Sequence, residues 1–183
     1  MEKVKIRKEI LAKLRAQSAC DRQRKSAQIK DKLFADNVFK SCACVMFYVA
    51  KNYEVDTQGM IKEALKLGKR VVVPVTSVGE KRIIPSEIKD PETELEIGPF
   101  GIKQPKSKYM RPVPVEDINM VITPAVVFDD LGNRIGHGAG YYDSFLKTLP
   151  PPTLSVGLAF DFQILKKVPS TPSDVPVKKI IFA

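Results

Sequence analysis

The sequence predicts an α/β fold: a single three-layer domain over residues 1–183, with a mainly parallel sheet and two N-terminal helices. Three observations predict it. Apolar residues recur at helical spacing near the N-terminus, while continuous, partly β-branched runs return from residue 43 onward, as strands covered on both faces require. Segments with helix caps separate several of these runs, and parallel strands need such crossovers.

Taken in order, residues 2–15 carry Ile6, Ile10 and Leu14 every four residues with Leu11 beside them, the stripe of an amphipathic helix. Lys3 and Arg7 share another face of it. Ser18 followed by Asp21 resembles a capping box and opens a second basic helix carrying Ala27, Ile29 and Leu33. Residues 43–50 predict a buried strand. Asp56 and Thr57 cap a helix to Leu67, Gly68 ends it, and residues 70–75 give the next strand. Residues 78–114 are rich in proline and charge and read as a long excursion with short strands. Residues 118–123 and 125–128 return to strand composition on either side of Pro124. A helix over 140–149 stops at Pro150, Pro151 and Pro152, and strands follow at 154–160 and 179–182.

Composition narrows the class. An apolar fraction of 44% and a charged fraction of 28% are ordinary for a globular chain and exclude disordered, collagenous and disulfide-scaffold classes. Cys20, Cys42 and Cys44 are an odd set suited to a reducing, cytoplasmic setting, and with His137 as the only histidine they fall short of a structural zinc site. The longest apolar run is too short to span a bilayer, so no membrane partner is expected. The net charge of +9 attracts polyanions without choosing among them.

Residues 132–143, Gly-Asn-Arg-Ile-Gly-His-Gly-Ala-Gly-Tyr-Tyr-Asp, place four glycines between a predicted strand and a predicted helix. Such a turn exposes backbone N–H groups to an anion, and Arg134 adds a fixed charge, so phosphate is the natural ligand. The alternative is a tight connection that merely needs positive φ. Neither the P-loop nor the dinucleotide fingerprint is present.

The segment resembles the signature N-R-[LI]-G-x-G-x-G-Y-Y-D of the 5-formyltetrahydrofolate cyclo-ligase family. The resemblance extends through Lys3 and Arg7, Glu54-Val55-Asp56-Thr57, Gly101-Ile102-Lys103-Gln104-Pro105, Thr123-Pro124-Ala125-Val126-Val127-Phe128-Asp129 and Val156-Gly157-Leu158-Ala159-Phe160. It implies ATP- and Mg2+-dependent cyclisation of 5-formyltetrahydrofolate, a reduced folate with or without a polyglutamate tail. A monomer is expected, with no nucleic-acid partner. By this similarity Lys3, Arg7, Arg134, Gly136, His137, Gly138, Gly140, Tyr141 and Tyr142 would bind ATP, with Arg134 catalytic. Val49, Glu54, Phe100, His137 and Tyr141 would meet the folate, and Asp143 and Asp174 would hold the metal.

Each assignment has a plainer counterpart. Lys3 and Arg7 can form a solvated helix face, Asp143 a helix-terminal charge, Asp174 a turn before Pro176, and Glu54 a loop charge. Val49 and Phe100 can be core, the residues alone favouring that reading for Phe100. Tyr142 can face inward. Ala139, His137 and Ser173 depart from residues common in the family, as does the Phe182-Ala183 terminus. The rival function is a basic module gripping RNA or DNA phosphates, supported by charge but by no stacking platform or motif.

Overall fold

A computed structural model describes residues 2–183; Met1 lies outside the described residues. Helix α1 (Glu2–Ala16) buries Ile10 and Leu14. Helix α2 (Ala19–Ala35) begins where the Ser18 hydroxyl accepts the Asp21 N–H, and it buries Ser26, Ile29 and Leu33. A short α3 (Asn37–Ser41), capped by Asp36, delivers the chain to β1 (Cys44–Met46). Helix α4 (Thr57–Lys66) is capped by the Asp56 carboxylate, and strand β2 (Arg70–Ser77) follows.

The run 43–50 is buried from Cys44 onward, yet only Cys44–Met46 stays in the ladder. Beyond it the Thr57 hydroxyl donates to the Tyr48 carbonyl and accepts the Ala50 N–H, so the start of α4 satisfies backbone that a neighbouring strand would otherwise pair.

The proline-rich excursion is more ordered than its composition suggests. Strand β3 (Arg82–Ile88) pairs antiparallel with β2 from Val71 opposite Ile88 to Ser77 opposite Arg82. Then come α5 (Pro91–Glu94), β4 (Leu95–Ile97) and β5 (Lys103–Pro105), the last two forming a separate hairpin. The buried Glu94 carboxylate takes two hydrogen bonds from Arg111, both 2.8 Å, tying the end of the excursion to its middle. Residues 111–113 run beside β3 and cover that edge.

Strand β6 (Met120–Thr123) returns to the main sheet, but Pro124 diverts the chain, and β7 (Val127–Asp129) enters a second small sheet. There it pairs antiparallel with β8 (Arg134–Ile135) and parallel with β10 (Ile164–Leu165). Helix α6 (Tyr141–Leu146) is shorter than the sequence suggests, and β9 (Leu154–Ala159) and β11 (Lys179–Phe182) complete the main sheet. Its order is β11-β9-β6-β1-β2-β3, parallel throughout except for β3.

Alternation along the strands creates the three layers. Val45, Val71, Val73, Met120, Ile122, Val156 and Leu158 pack on one face with Ile10, Leu14, Ile29, Leu33, Met60 and Ile61 from α1, α2 and α4. Cys44, Met46, Val72 and Val121 point the other way, against Phe145 and Leu146 of α6. Two close approaches require glycine. A Cβ on Gly157 would lie 2.4 Å from the Phe128 ring, and one on Gly132, at φ +81°, would lie 2.1 Å from the Val177 carbonyl oxygen.

Gly132→Ala therefore combines a strained φ with a backbone collision, and should lower stability by roughly 2–4 kcal/mol. In a thermal melt this would be a fall in Tm of about 5–10 °C. A loss below about 1 kcal/mol would show that the hairpin can move away from Val177 at little cost.

Candidate functional site

The chain leaves β1 in one direction to form β2 and β3, and later places β6 on the opposite side of β1. The carboxyl ends of β1 and β6 thus diverge at a switch point, where open α/β sheets form their ligand crevices. A cleft of about 700 Å³ lies there, lined by Tyr48 and Val49 after β1, Pro74 and Thr76 of β2, and Pro124 after β6. This volume is ordinary for a small-molecule site.

The β7–β8 hairpin supplies one wall. The Asp129 carboxylate accepts the N–H groups of Leu131, Asn133 and Val168 and the Asn133 side-chain amide, holding the turn in shape. Burial alone would raise the pKa of Asp129, but these hydrogen bonds outweigh it and hold the acid below the ordinary carboxylate range. The fixed turn presents Arg134, only 5% exposed, whose Nη2 donates to Asp143 Oδ1 at 2.8 Å. Burial pushes the Arg134 pKa down against the pull of Asp143, yet a guanidinium remains charged throughout the accessible range. Its Nε has no partner among the described residues.

After β8 the chain runs through Gly136, His137, Gly138, Ala139 and Gly140, all lining the cleft. The N–H groups of residues 137–140 donate to no described residue. Helix α1 braces this loop: Arg7 Nε donates to the Gly136 carbonyl at 2.8 Å, and the Arg7 guanidinium covers Gly138, which sits at φ +106°. Lys3, one turn earlier, pairs with Asp174 Oδ2. For Asp174, burial raises the pKa, but Lys3 and two hydrogen bonds from Thr171 bring it below the ordinary value.

On the facing side Glu54, its side chain 13% exposed, accepts the Lys51 N–H at Oε2 and lies 3.0 Å from His137 Nε2 at Oε1. Phe100 occupies the left-handed region at φ 59°, 59% exposed, with its ring edge-on to Tyr141 at a centroid distance of 6.0 Å. The cleft is cationic: Lys3, Arg7, Lys51, Arg134 and Lys147 outnumber Glu54, Asp143 and Asp174.

Asp143 and Asp174 are the carboxylates placed to hold magnesium. Asp143 Oδ1 is used by Arg134 and the Val175 N–H, and Asp174 Oδ2 by Lys3 and Thr171. The second oxygen of each accepts nothing from the described residues, so the pair fits an ion that takes one or two carboxylates and completes its shell with phosphate and water. No group of three or more His, Cys, Asp or Glu suited to a metal occurs among the described residues.

Comparison with known proteins agrees with this architecture. The family model described as "5-formyltetrahydrofolate cyclo-ligase family" matches residues 1–183. The chain belongs to the 5-formyltetrahydrofolate cyclo-ligase family. The 5-formyltetrahydrofolate cyclo-ligase of Escherichia coli K12 is 32% identical over 141 residues, covering 75% of this chain and 76% of that protein. The Mus musculus 5-formyltetrahydrofolate cyclo-ligase is 28% identical, covering 97% and 91%. Among solved structures, Aquifex aeolicus 5,10-methenyltetrahydrofolate synthetase superposes with a TM-score of 0.87 at 32% identity, covering 100% of this chain and 90% of that one.

Within this cyclo-ligase fold, every residue given a binding, catalytic or metal role from the sequence lines the same cleft: Lys3, Arg7, Val49, Glu54, Phe100, Arg134, Gly136, His137, Gly138, Gly140, Tyr141, Tyr142, Asp143 and Asp174. Some readings change. Gly132 belongs to the hairpin turn packed on Val177, so the glycines that line the cleft begin at Gly136. Phe100 is at the rim, not in the core, because its turn holds it out toward Tyr141. Val49 is both, 3% exposed and lining the cleft. Tyr142 faces inward: its hydroxyl is buried without a described partner, and burial pushes its pKa up. Helix α6 is too short for its dipole to contribute much, leaving loop amides and cations as the groups able to attract an anion. Tyr48, Lys51, Pro74, Thr76, Lys147 and Thr171 also line the cleft and were not evident from sequence. Only Lys147 had a usable signal, standing four residues after Asp143 on a predicted helix.

Two predictions follow from the charges. Asp143→Ala leaves Arg134 buried without its carboxylate and should cost roughly 2–4 kcal/mol, discounted for the partial exposure of Asp143. Denaturant titration checks this, and an unchanged midpoint would show that Arg134 is solvated. Asp129 and Asp174 have folded pKa values below their unfolded ones. Their stabilisation is therefore complete above the unfolded carboxylate range and is lost as pH falls through the depressed values. Asp129→Asn should flatten the acid limb of Tm against pH; an unaltered slope would remove Asp129 from that linkage.

Proposed function

We propose that this protein catalyses the ATP-dependent cyclisation of 5-formyltetrahydrofolate to 5,10-methenyltetrahydrofolate, releasing ADP and phosphate. The observation that carries the reading is a single cleft at the sheet's switch point, where the glycine loop with Arg7 and Arg134 faces Glu54, Val49 and Phe100. Family membership supports it, and nothing in the comparisons supports the nucleic-acid-binding alternative.

The formyl oxygen is a poor leaving group. In the proposed reaction it attacks the γ-phosphorus, the bond to ADP breaks, and the formyl carbon becomes an activated iminium phosphate. The neighbouring folate amine attacks that carbon and loses its proton, and the C–O bond breaks as phosphate leaves with the formyl oxygen. The protein's work is then positioning and charge neutralisation. Lys3, Arg7, Arg134 and the amides of residues 136–142 would hold the ATP phosphates, with Arg134 the catalytic cation nearest the transferred group. His137 and Tyr141 would touch both ligands, and Tyr142 would close the nucleotide side. Val49, Glu54 and Phe100 would hold the pterin part of the folate.

Asp143 and Asp174 would hold Mg2+ through their unused oxygens, and that ion would neutralise phosphate charge when bound. A folate with or without a polyglutamate tail, a cytoplasmic setting, a monomer and one domain over residues 1–183 complete the reading. No helix among the described residues is long and apolar enough to cross a membrane.

The deciding assay follows the absorbance of methenyltetrahydrofolate on mixing protein, 5-formyltetrahydrofolate and magnesium with or without ATP. A rise only with ATP is expected, and no rise from folded protein would overturn the proposal. Arg134→Lys keeps the charge but not the fork, and should lower kcat about 10²–10³-fold. Asp143→Asn should move the magnesium titration to higher concentration, and an unmoved curve would take Asp143 out of the metal site.

A further inference from the structure

The contact between Glu54 and His137 joins segments that lie 83 residues apart in sequence. Glu54 follows β1 on the side of the cleft assigned to the folate. His137, the only histidine in the chain, sits on the glycine loop assigned to the nucleotide phosphates. We infer that His137 is a positioning residue that couples nucleotide binding to folate binding, by carrying the order of the phosphate loop to the Glu54 carboxylate. The inference rests on the cyclo-ligase reading of the cleft.

The physical case begins with how each partner is held. Glu54 is mostly withdrawn from water, and one of its oxygens is fixed locally by the Lys51 N–H. The other lies 3.0 Å from His137 Nε2, which donates to it in the tautomer that carries the proton on Nε2, since an ionised carboxylate only accepts. A carboxylate oxygen has two lone pairs, so this bond orients Glu54 while leaving acceptor capacity for a folate N–H. His137 is held much less firmly. Its loop contains Gly136, Gly138 and Gly140, residues 137–140 are exposed, and their amides donate to no described residue. The loop's brace from α1 is confined to Arg7 at Gly136 and Gly138.

Phosphate oxygens accepting the free amides would remove the loop's backbone freedom, the large entropy that glycine carries. His137 would then hold Glu54 with no further ordering cost, and the folate would meet a preset carboxylate. Coupling between two binding events is reciprocal, so folate must tighten nucleotide by the same factor.

The test measures the Kd of 5-formyltetrahydrofolate by calorimetry, with and without a non-hydrolysable ATP analogue plus magnesium. The comparison is between the native protein, His137→Ala and His137→Gln. The expected result is a tightening of about fivefold in the native protein, near the low end of measured couplings. It should fall below about twofold in His137→Ala and partly return in His137→Gln, whose side-chain amide can still donate to Glu54. The single histidine gives one ring Cε1–H signal in the NMR spectrum, which should shift on adding the analogue alone. Because His137 is exposed, both variants should fold, and a cooperative thermal melt for each shows that the Kd values compare folded proteins. Equal coupling in the native protein and His137→Ala, or both ligands binding without coupling, would overturn the inference while leaving the cyclo-ligase reading in place. Failure of the native protein to bind 5-formyltetrahydrofolate at all would overturn that reading and the inference with it.

Discussion

A guanidinium withdrawn almost completely from water, Arg134 against Asp143, is the interaction on which the rest of the cleft depends. A charge in that position is tolerated only with a partner of good geometry, so the two residues must be delivered to each other accurately. The Asp129 network shapes the hairpin that delivers Arg134, and the same carboxylate takes the Val168 N–H. Asp143 in turn accepts the Val175 N–H beside Asp174. One pair thus aligns the hairpin, α6 and the C-terminal segment, and Lys3 ties that segment to α1.

The sheet makes this assembly open into a cavity. Parallel strands covered by helices on both faces leave only their ends for ligands, and the reversal of direction at β1 separates two neighbouring carboxyl ends. The chain reinforces the opening twice. Thr57 draws residues 48–50 out of the ladder, and Pro124 diverts the strand after β6. The Thr123 hydroxyl at that exit is buried without a described partner, one of several unsatisfied polar groups at or beside the cleft. Such groups are uncommon in native interiors and concentrate where a ligand or water completes them.

Rigidity is unevenly distributed around the cleft. Arg134, Val49 and Tyr142 are built into packed surroundings, whereas residues 137–140 and Phe100 stand in solvent. Phe100 also holds a left-handed conformation that costs a non-glycine residue on the order of 1 kcal/mol. A rigid floor with adaptable rims suits a site that must admit two substrates and release three products, since the rims can open without disturbing the buried charges.

The sequence by itself determined the layered α/β class, through apolar runs at 43–50, 70–75 and 118–123, and located the glycine-rich segment with its arginine. These features are local: periodicity, caps and glycine clusters report what the backbone can do nearby. It also pointed to Lys3, Arg7, Glu54 and Asp174, but only through a resemblance, because each alone is an ordinary surface charge. The ordered 78–114 excursion was hidden because its stability lies in long-range pairs, β2 with β3 and Glu94 with Arg111, that leave no periodic trace. Phe100 looked like core because aromatic residues usually are, and its exposure follows from a backbone angle that composition does not encode. Tertiary structure alone decided that Gly132 serves the hairpin and Gly136 begins the loop, that Arg134 faces Asp143, and that His137 meets Glu54. The physical reason is common to all three: burial and contact are properties of segments far apart in the chain, and they exist only once the sheet has brought those segments together.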